Sequence, residues 1–460
     1  MTATPRPLID MDACREQVRE AVHPFFRGRI DRVSGVMVEA IGVPAAVGEL
    51  CRIRRRAGPT NGSTVPHVDV DAEVVGFRGQ TTLLMPHGDL DGIAPMQAVI
   101  AQQRPFSVPV GDALLGRVLD GFGIPIDDQA PLPALEHRSV RAEAPLPMER
   151  VPIDEPLQTG VRAIDGFTTL GRGQRVGIFA GSGVGKSSLL GQITRGTDAG
   201  VIVVCLVGER GREVRSFLDT VLGEEGRKRA VVVVATSDRP PIERYMAPFV
   251  AVTIAEHFRD RGGDALVVMD SITRFAASAR EIGLAAGEPP TVRGFPPSFF
   301  ATVPKLVERM GRTKNGSITG ILTVLLDADD PNDPVADTLR GLLDGHIHLS
   351  RDLANRGHFP SIEVLGSLSR LANDLVDPLD MRRANHLREL LAVYNDGRDL
   401  VEIGAYKAGT NPRLDEALRL IPAINAFLQQ QSHDITDQQL TREMIDQICR
   451  ASGFQEGTDA

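Results

Sequence analysis

The stretch QRVGIFAGSGVGKSSLL, Gln174–Leu190, decides the fold. It opens as a strand, QRVGIFA, passes through a glycine-rich loop and runs into a helix. Glycines 181, 183 and 185 let the backbone curl so that successive N–H groups face phosphate oxygens. The N–H groups at the start of the helix add to the same field. Lys186 is placed for the β- and γ-phosphates, and the Ser187 hydroxyl for Mg²⁺. Strand, loop, GKS and helix in register argue against a chance glycine-rich turn. The candidate nucleoside-triphosphate site is therefore Ala180, Gly181, Ser182, Gly183, Val184, Gly185, Lys186, Ser187 and Ser188. The strict pattern starts with Gly; Ala180 is a relaxed form of it.

Outward from this loop, the chain divides. From about Gln174 to Ser369, apolar runs (RVGIFA, VIVVCLV, AVVVVAT, DALVVMD, ITGILTVLL, HIHLS) alternate with helical segments such as RYMAPFVAVTIAEHFRD. That alternation predicts a mostly parallel sheet with helices on both faces. After about Asn373 strands vanish. MRRANHLRELLAVYN, PRLDEALRLIPAINAFLQQ and QQLTREMIDQICRA predict a helical domain over 373–460. Upstream, short Val/Ile-rich runs (VSGVMVEAIG, EVVGF, TTLLMP) between Gly, Pro and Asn clusters predict a small β-barrel over 27–95. The nucleotide-binding unit then spans 96–372. Residues 1–26 form an extension in which Met11, Cys14, Val18 and Ala21 recur at helical spacing.

Composition narrows the class. At ~100–200 residues per domain, 460 residues predict two to four domains. Hydrophobic residues at 42% and charged residues at 24% exclude disorder and a disulfide scaffold. The net charge of -9, without Trp and with 4% aromatics, argues against a nucleic-acid partner. A local basic cluster, Arg52, Arg54, Arg55 and Arg56, reads first as a solvated barrel face, otherwise as a contact for acidic lipid or a partner. Cys14, Cys51, Cys205 and Cys449 lack metal or disulfide spacing and fit a reducing cytosol. No signal pattern opens the chain, and no apolar run approaches the ~18 residues of a membrane span.

Two acidic positions complete the candidate chemistry. Asp270 ends DALVVMD, a strand expected beside the P-loop strand; it either holds Mg²⁺ through water or caps the helix after it. Glu209 in GERGREVR follows the strand VIVVCLV, where a carboxylate can orient or deprotonate a water. Glu213 either supports it or pairs with nearby arginines. Both also read as a solvated charge cluster.

These motifs, with PPSFFATVPKLVERMG, DDPNDPVADTLRGLLDGHIHLSR, GHFPSIEVLGSLSR, VPVGDALLGRVLDGFGIPID and EPLQTGVRAIDGF, resemble the type III protein-export ATPases of the rotary ATPase alpha/beta group. The resemblance covers about Val108 to Phe454. It implies an α/β fold: a RecA-like P-loop ATPase core with an N-terminal β-barrel domain and a C-terminal helical domain. It implies a homo-hexamer with sites between neighbours, using ATP and Mg²⁺. Glu209 matches the catalytic glutamate, and Lys186 and Ser187 match the residues that hold phosphates and Mg²⁺. Arg370 matches the arginine that reaches a neighbour's site; a surface ion pair is the alternative. Phe359 matches the aromatic on adenine, against ordinary core packing. Phe427 either completes that pocket or packs in the core. Two departures, Glu363 and the stretch Asp329–Pro334, lie away from the phosphate chemistry. The implied partners are a stalk-like regulator at the N-terminal helix, a central stalk-like protein, export-gate membrane proteins and chaperone–substrate complexes. The implied location is cytoplasmic, peripheral at the export apparatus.

Several functions compete. Flagellar export leads, with injectisome secretion next. A proton-coupled ATP synthase catalytic subunit usually carries GGAGVGKT instead. An RNA-translocating termination helicase needs basic and aromatic RNA contacts. A non-catalytic ring subunit usually has Gln where Glu209 stands.

Overall fold

The computed structural model describes residues 27–454, apart from 56–58, 61–62, 65–68 and 327–332. The helix predicted within 8–26, Arg56 and residues 329–332 lie outside these. The first unit is a closed antiparallel barrel of six strands: β1 (Arg27–Ser34), β2 (Met37–Ile41), β3 (Glu49–Ile53), β4 (Val70–Arg78), β5 (Thr81–Pro86) and β6 (Ala98–Pro105), in the order β1-β2-β5-β4-β3-β6. Alternating side chains turn Ile30, Val38, Cys51, Ile53, Val74, Leu84 and Val99 inward. Register shifts near Ile30, Val74 and Glu49 bend the strands enough to close the cylinder. The barrel runs past residue 95, because β6 completes it. Only the first half of β6 is buried, and its polar end, Gln-Gln-Arg-Pro, hid the strand from a pattern reading.

The central sheet follows the order β7 (Val118–Asp120), β10 (Ala230–Ala235), β9 (Val201–Val207), β11 (Asp264–Asp270), β12 (Ser317–Leu325), β8 (Arg175–Ala180), β13 (Gly345–His348), β14 (Leu368–Ser369). All pairings along this path are parallel except β13 with β14. These strands read as continuous apolar runs because both faces are covered. Val203, Cys205 and Val207 face helices α3 (Pro241–Asp260), α4 (Ile272–Ala286) and α5 (Pro297–Glu308); Ile202, Val204 and Leu206 face α1 (Lys186–Gly196) and the C-terminal helices. Each fully buried Val, Leu or Ile contributes roughly 1.5–3 kcal/mol over leaving it exposed. The sequence reading put β11 beside β8; in the structure β12 separates them. Uniformly apolar strands carry no mark of their lateral order.

Three packed helices follow the sheet, α6 (Pro378–Glu402), α7 (Pro412–Leu428) and α8 (Gln438–Ser452). Their starts are set locally. Pro378 and Pro412 occupy first-turn positions, and the Asp377, Asn411 and Asp437 side chains accept the first backbone N–H groups. Leu387, Leu391, Leu420, Ile424 and Ile445 join the core beneath α1, so this domain packs on the P-loop side of the sheet.

One buried charge pair ties the other face. Arg309, 2% exposed, donates to both oxygens of Glu256 at 2.9 and 2.6 Å, to Thr253 Oγ1 at 2.8 Å and to the Val140 carbonyl at 2.7 Å. It joins the end of α5 to α3 and to the segment leading from the barrel. Removing one partner strands the other charge in the core. Arg309→Met should therefore lower unfolding free energy by about 3–5 kcal/mol, and Arg309→Met with Glu256→Leu should recover most of it. Urea denaturation of both variants checks this; a single variant within ~0.5 kcal/mol of wild type contradicts it.

Candidate active site

The P-loop leaves β8 at Ala180 and turns into α1 at Lys186. Gly183 (φ 78°) and Gly185 (φ 90°) hold left-handed conformations, which glycine adopts without the cost of a Cβ. Gly185 has a second reason. A Cβ there would lie 3.3 Å from the Phe359 ring. No side chain caps α1, so its first N–H groups and macrodipole remain available to an anion. The loop is braced from the strand-13 side. Ser361 Oγ donates to the Val184 carbonyl at 2.6 Å, and Arg351 Nη1 to the Ser182 carbonyl at 3.0 Å. Ser187 and Ser188 are exposed at the helix start.

Three strand ends deliver charge to one point. Lys186 Nζ contacts Asp270 Oδ1 and lies 3.9 Å from Glu209 Oε1. Asp270 closes β11 and is nearly fully buried; Thr323 Oγ1 of β12 donates to it at 2.7 Å. It does not cap α4. That task falls to Ser271, whose side chain accepts from Arg274 N–H. Glu209 follows β9, with its side chain 17% exposed. Burial first, then the hydrogen bond it donates to Glu213 and the nearby Asp270 charge, raise its carboxyl to about 7. Lys186 opposes the rise. Glu213, on the short helix α2 (Gly211–Ser216), is held below its ordinary value by that same hydrogen bond, and it pairs with Arg210 at 3.9 Å. A pKa near neutrality is what a general base needs.

The aromatic residues part company. Phe359 is 45% exposed with its ring against the P-loop. Phe427 is 1% exposed, meets Phe167 edge-on at 5.9 Å and lies under the Arg162 guanidinium. Its ring is core and has no free face for a base. Arg370 follows β14, next to the start of β13, whereas the P-loop leaves the opposite end of the sheet. It is exposed and donates to the Arg340 carbonyl at 3.2 Å. It stands at the sheet's edge, away from its own Lys186. In the basic cluster, Arg52 pairs with Asp71 at 2.9 Å, Arg55 meets the Asp89 carbonyl, and Arg54 is exposed. Thr323 and Ser361 were missed in the sequence; small hydroxyls inside apolar or loop runs carry no pattern.

The surrounding chain identifies the site. Residues 160–369 match the ATP synthase alpha/beta family, nucleotide-binding domain, and residues 376–447 match the type III secretion EscN ATPase C-terminal domain. The chain is 47% identical over 442 residues to the type 3 secretion system ATPase of Xanthomonas euvesicatoria, covering 96% of this chain and 98% of that one. It is 48% identical over 403 residues to the flagellum-specific ATP synthase of Bacillus subtilis, covering 88% and 90%. Among solved structures, the assembled ATPase EscN of the enteropathogenic E. coli type III secretion system is similar at a TM-score of 0.85 and 43% identity, over 92% of this chain and 99% of that one. EscN in complex with its central stalk EscO is similar at 0.83. Matched over nearly its whole length, the chain belongs to the type III secretion and flagellum-specific ATPases of the ATP synthase alpha/beta family.

Proposed function

We propose that this protein hydrolyses ATP to power or assist protein export through a flagellar type III apparatus. The observation that carries the chemistry is the meeting of Lys186, Asp270 and Glu209 at the mouth of the P-loop. Injectisome secretion is the second reading, supported by the near-equal identity to the Xanthomonas protein. Deleting the gene and scoring both motility and secretion of virulence cargo separates them: lost motility supports the first, lost secretion with intact motility the second.

ATP enters with its phosphates on the α1 N-terminus and its base against the exposed face of Phe359. Lys186 then exchanges Asp270 for the β- and γ-phosphate oxygens. Ser187 and, through water, Asp270 fit a Mg²⁺ ion. Both offer oxygen, the donor that Mg²⁺ takes alongside nucleotide phosphates. Bound there, Mg²⁺ neutralises charge on the phosphates. Glu209 takes the proton of the attacking water, and Glu213 hydrogen-bonds the carboxyl that results. The water oxygen bonds to the γ-phosphorus as the bond to the β–γ bridging oxygen breaks, ADP and phosphate leave, and Glu209 returns its proton to solvent.

Arg370 serves the γ-phosphate of an adjacent protomer, since it lies at the far end of its own sheet. That requires a ring, read as a homo-hexamer. EscN's assembled form and its complex with the EscO stalk support a ring and a central stalk partner here. The N-terminal segment is assigned to a stalk-like regulator, and export-gate membrane proteins and chaperone–cargo complexes are further partners. Among the described residues no helix is long and apolar enough to cross a membrane, which suits peripheral attachment to the apparatus from the cytoplasmic side.

Two predictions test this chemistry. Glu209→Gln should keep ATP affinity and lose roughly 10²–10⁴-fold in turnover. In the wild type the base works only when deprotonated. Its raised pKa therefore makes kcat/KM fall as pH drops through about 7, well above the ordinary carboxylate range. Glu213→Gln removes the negative charge that favours the protonated form of Glu209 and should shift that inflection downward. A wild-type profile flat across neutral pH contradicts the assignment.

The shared site makes activity depend on assembly. Arg370→Ala should bind ATP yet lose ~10³–10⁵ in turnover, and wild-type specific activity should rise steeply with protein concentration. Mixing Arg370→Ala with Lys186→Ala should restore some turnover, because a mixed ring pairs one good loop with one good finger. Full turnover by Arg370→Ala alone rules the finger out.

A further inference from the structure

The segment that carries Arg370 is short, two strand residues on an exposed edge, yet a finger must be placed to within a fraction of an ångström to act. The structure shows what holds it. Gln174, the residue immediately before β8, has no exposed surface. Its amide Nε2 donates to Ser369 Oγ at 3.0 Å and to the Asp344 carbonyl at 3.2 Å, and its Oε1 accepts from Gly171 N–H at 2.8 Å. The backbone N–H of Arg370 donates to that same Asp344 carbonyl at 2.9 Å. Gly345 is shaped to this arrangement: a Cβ there would lie 3.2 Å from Gln174 Nε2. A buried amide with both donors and its acceptor used is costly to misplace, because any shift strands a polar group out of water.

We propose that Gln174 is a positioning residue for Arg370: its buried amide locks the finger segment to the base of the P-loop strand. The inference rests on the reading that Arg370 acts in a neighbour's site. Its consequence is mechanical. β8 begins at the finger's anchor and ends, six residues later, at the phosphate loop. A nucleotide-dependent shift of the loop is thus carried along one strand, through one amide, to the arginine offered to the next protomer. Gln174 touches no substrate and acts only through Arg370.

The predicted signature is a loss of kcat without a loss of binding, since a finger's contact is made in the transition state. In the full-length assembled protein, Gln174→Leu keeps the volume and removes the hydrogen bonds. It should lower kcat by ~10–10²-fold, the cost of a misplacement near 1 Å, with KM for ATP little changed. Combined with Arg370→Ala it should add nothing. A purely structural role would lower kcat and ATP affinity together and would add to the Arg370→Ala loss.

Mixed rings give the sharper test. Gln174→Leu mixed with Lys186→Ala should regain turnover, because the intact finger of the Lys186→Ala protomer meets the intact loop of the Gln174→Leu protomer. The Arg370→Ala and Lys186→Ala mixture is the control. If the control recovers and the Gln174→Leu mixture does not, Gln174 acts on its own loop and the proposal is wrong while the shared site stands. If the control itself stays inactive, the shared-site reading falls and takes the proposal with it. Should Gln174→Leu fail to fold, Ser369→Ala removes only the finger-side partner. It should show a smaller kcat loss in the same direction and the same recovery on mixing; an unchanged kcat overturns the proposal.

Discussion

Everything in the site turns on one ammonium. Lys186 sits in contact with Asp270 and 3.9 Å from Glu209, both sheltered from water. One positive charge cannot satisfy two buried negative ones. Opposite charges at this distance attract by about 4 kcal/mol at the effective dielectric of such sites, and like charges repel comparably. Asp270 takes both the ammonium and the Thr323 hydroxyl on one oxygen. Glu209, buried, further from the ammonium and tied to Glu213, is the carboxyl whose pKa rises to about 7. The arrangement is thereby poised: phosphates that draw Lys186 away redistribute charge across all three groups.

The fold exists to keep those groups at one end of one sheet. β8, β9 and β11 run parallel, so their C-terminal ends present Lys186, Glu209 and Asp270 on the same side. Apolar packing on both faces makes the strands rigid. The helical domain packs below α1, and the exposed Phe359 ring lies against the loop that Ser361 and Arg351 brace. Arg370 stands at the other end of the sheet, beside Asp344 and Gly345.

Much of this was legible from residues alone. The P-loop announces itself by glycines at left-handed positions and by a strand and helix in register. Uniform apolar runs announced a sheet covered on both faces. Lateral order was not legible: β12 between β8 and β11 leaves no trace in apolar strands, although it supplies Thr323. The barrel's end was misplaced because half of β6 faces water. Phe427 and Phe359 look equivalent as letters; only packing shows that the first is buried against Phe167 and the second lies exposed on the loop. Ser361, Thr323 and the Gln174 amide nitrogen reach partners far along the chain, and no local pattern reports that.

Nucleotide binding by Lys186→Ala tests the central claim most directly. Titration calorimetry with ADP and Mg²⁺, alongside circular dichroism and steady-state turnover, is sufficient. If the ammonium is the cation that recruits phosphate, the variant keeps the wild-type spectrum, loses most ADP affinity and shows no hydrolysis. A well-folded variant that binds ADP and turns over ATP as the wild type does would contradict the account.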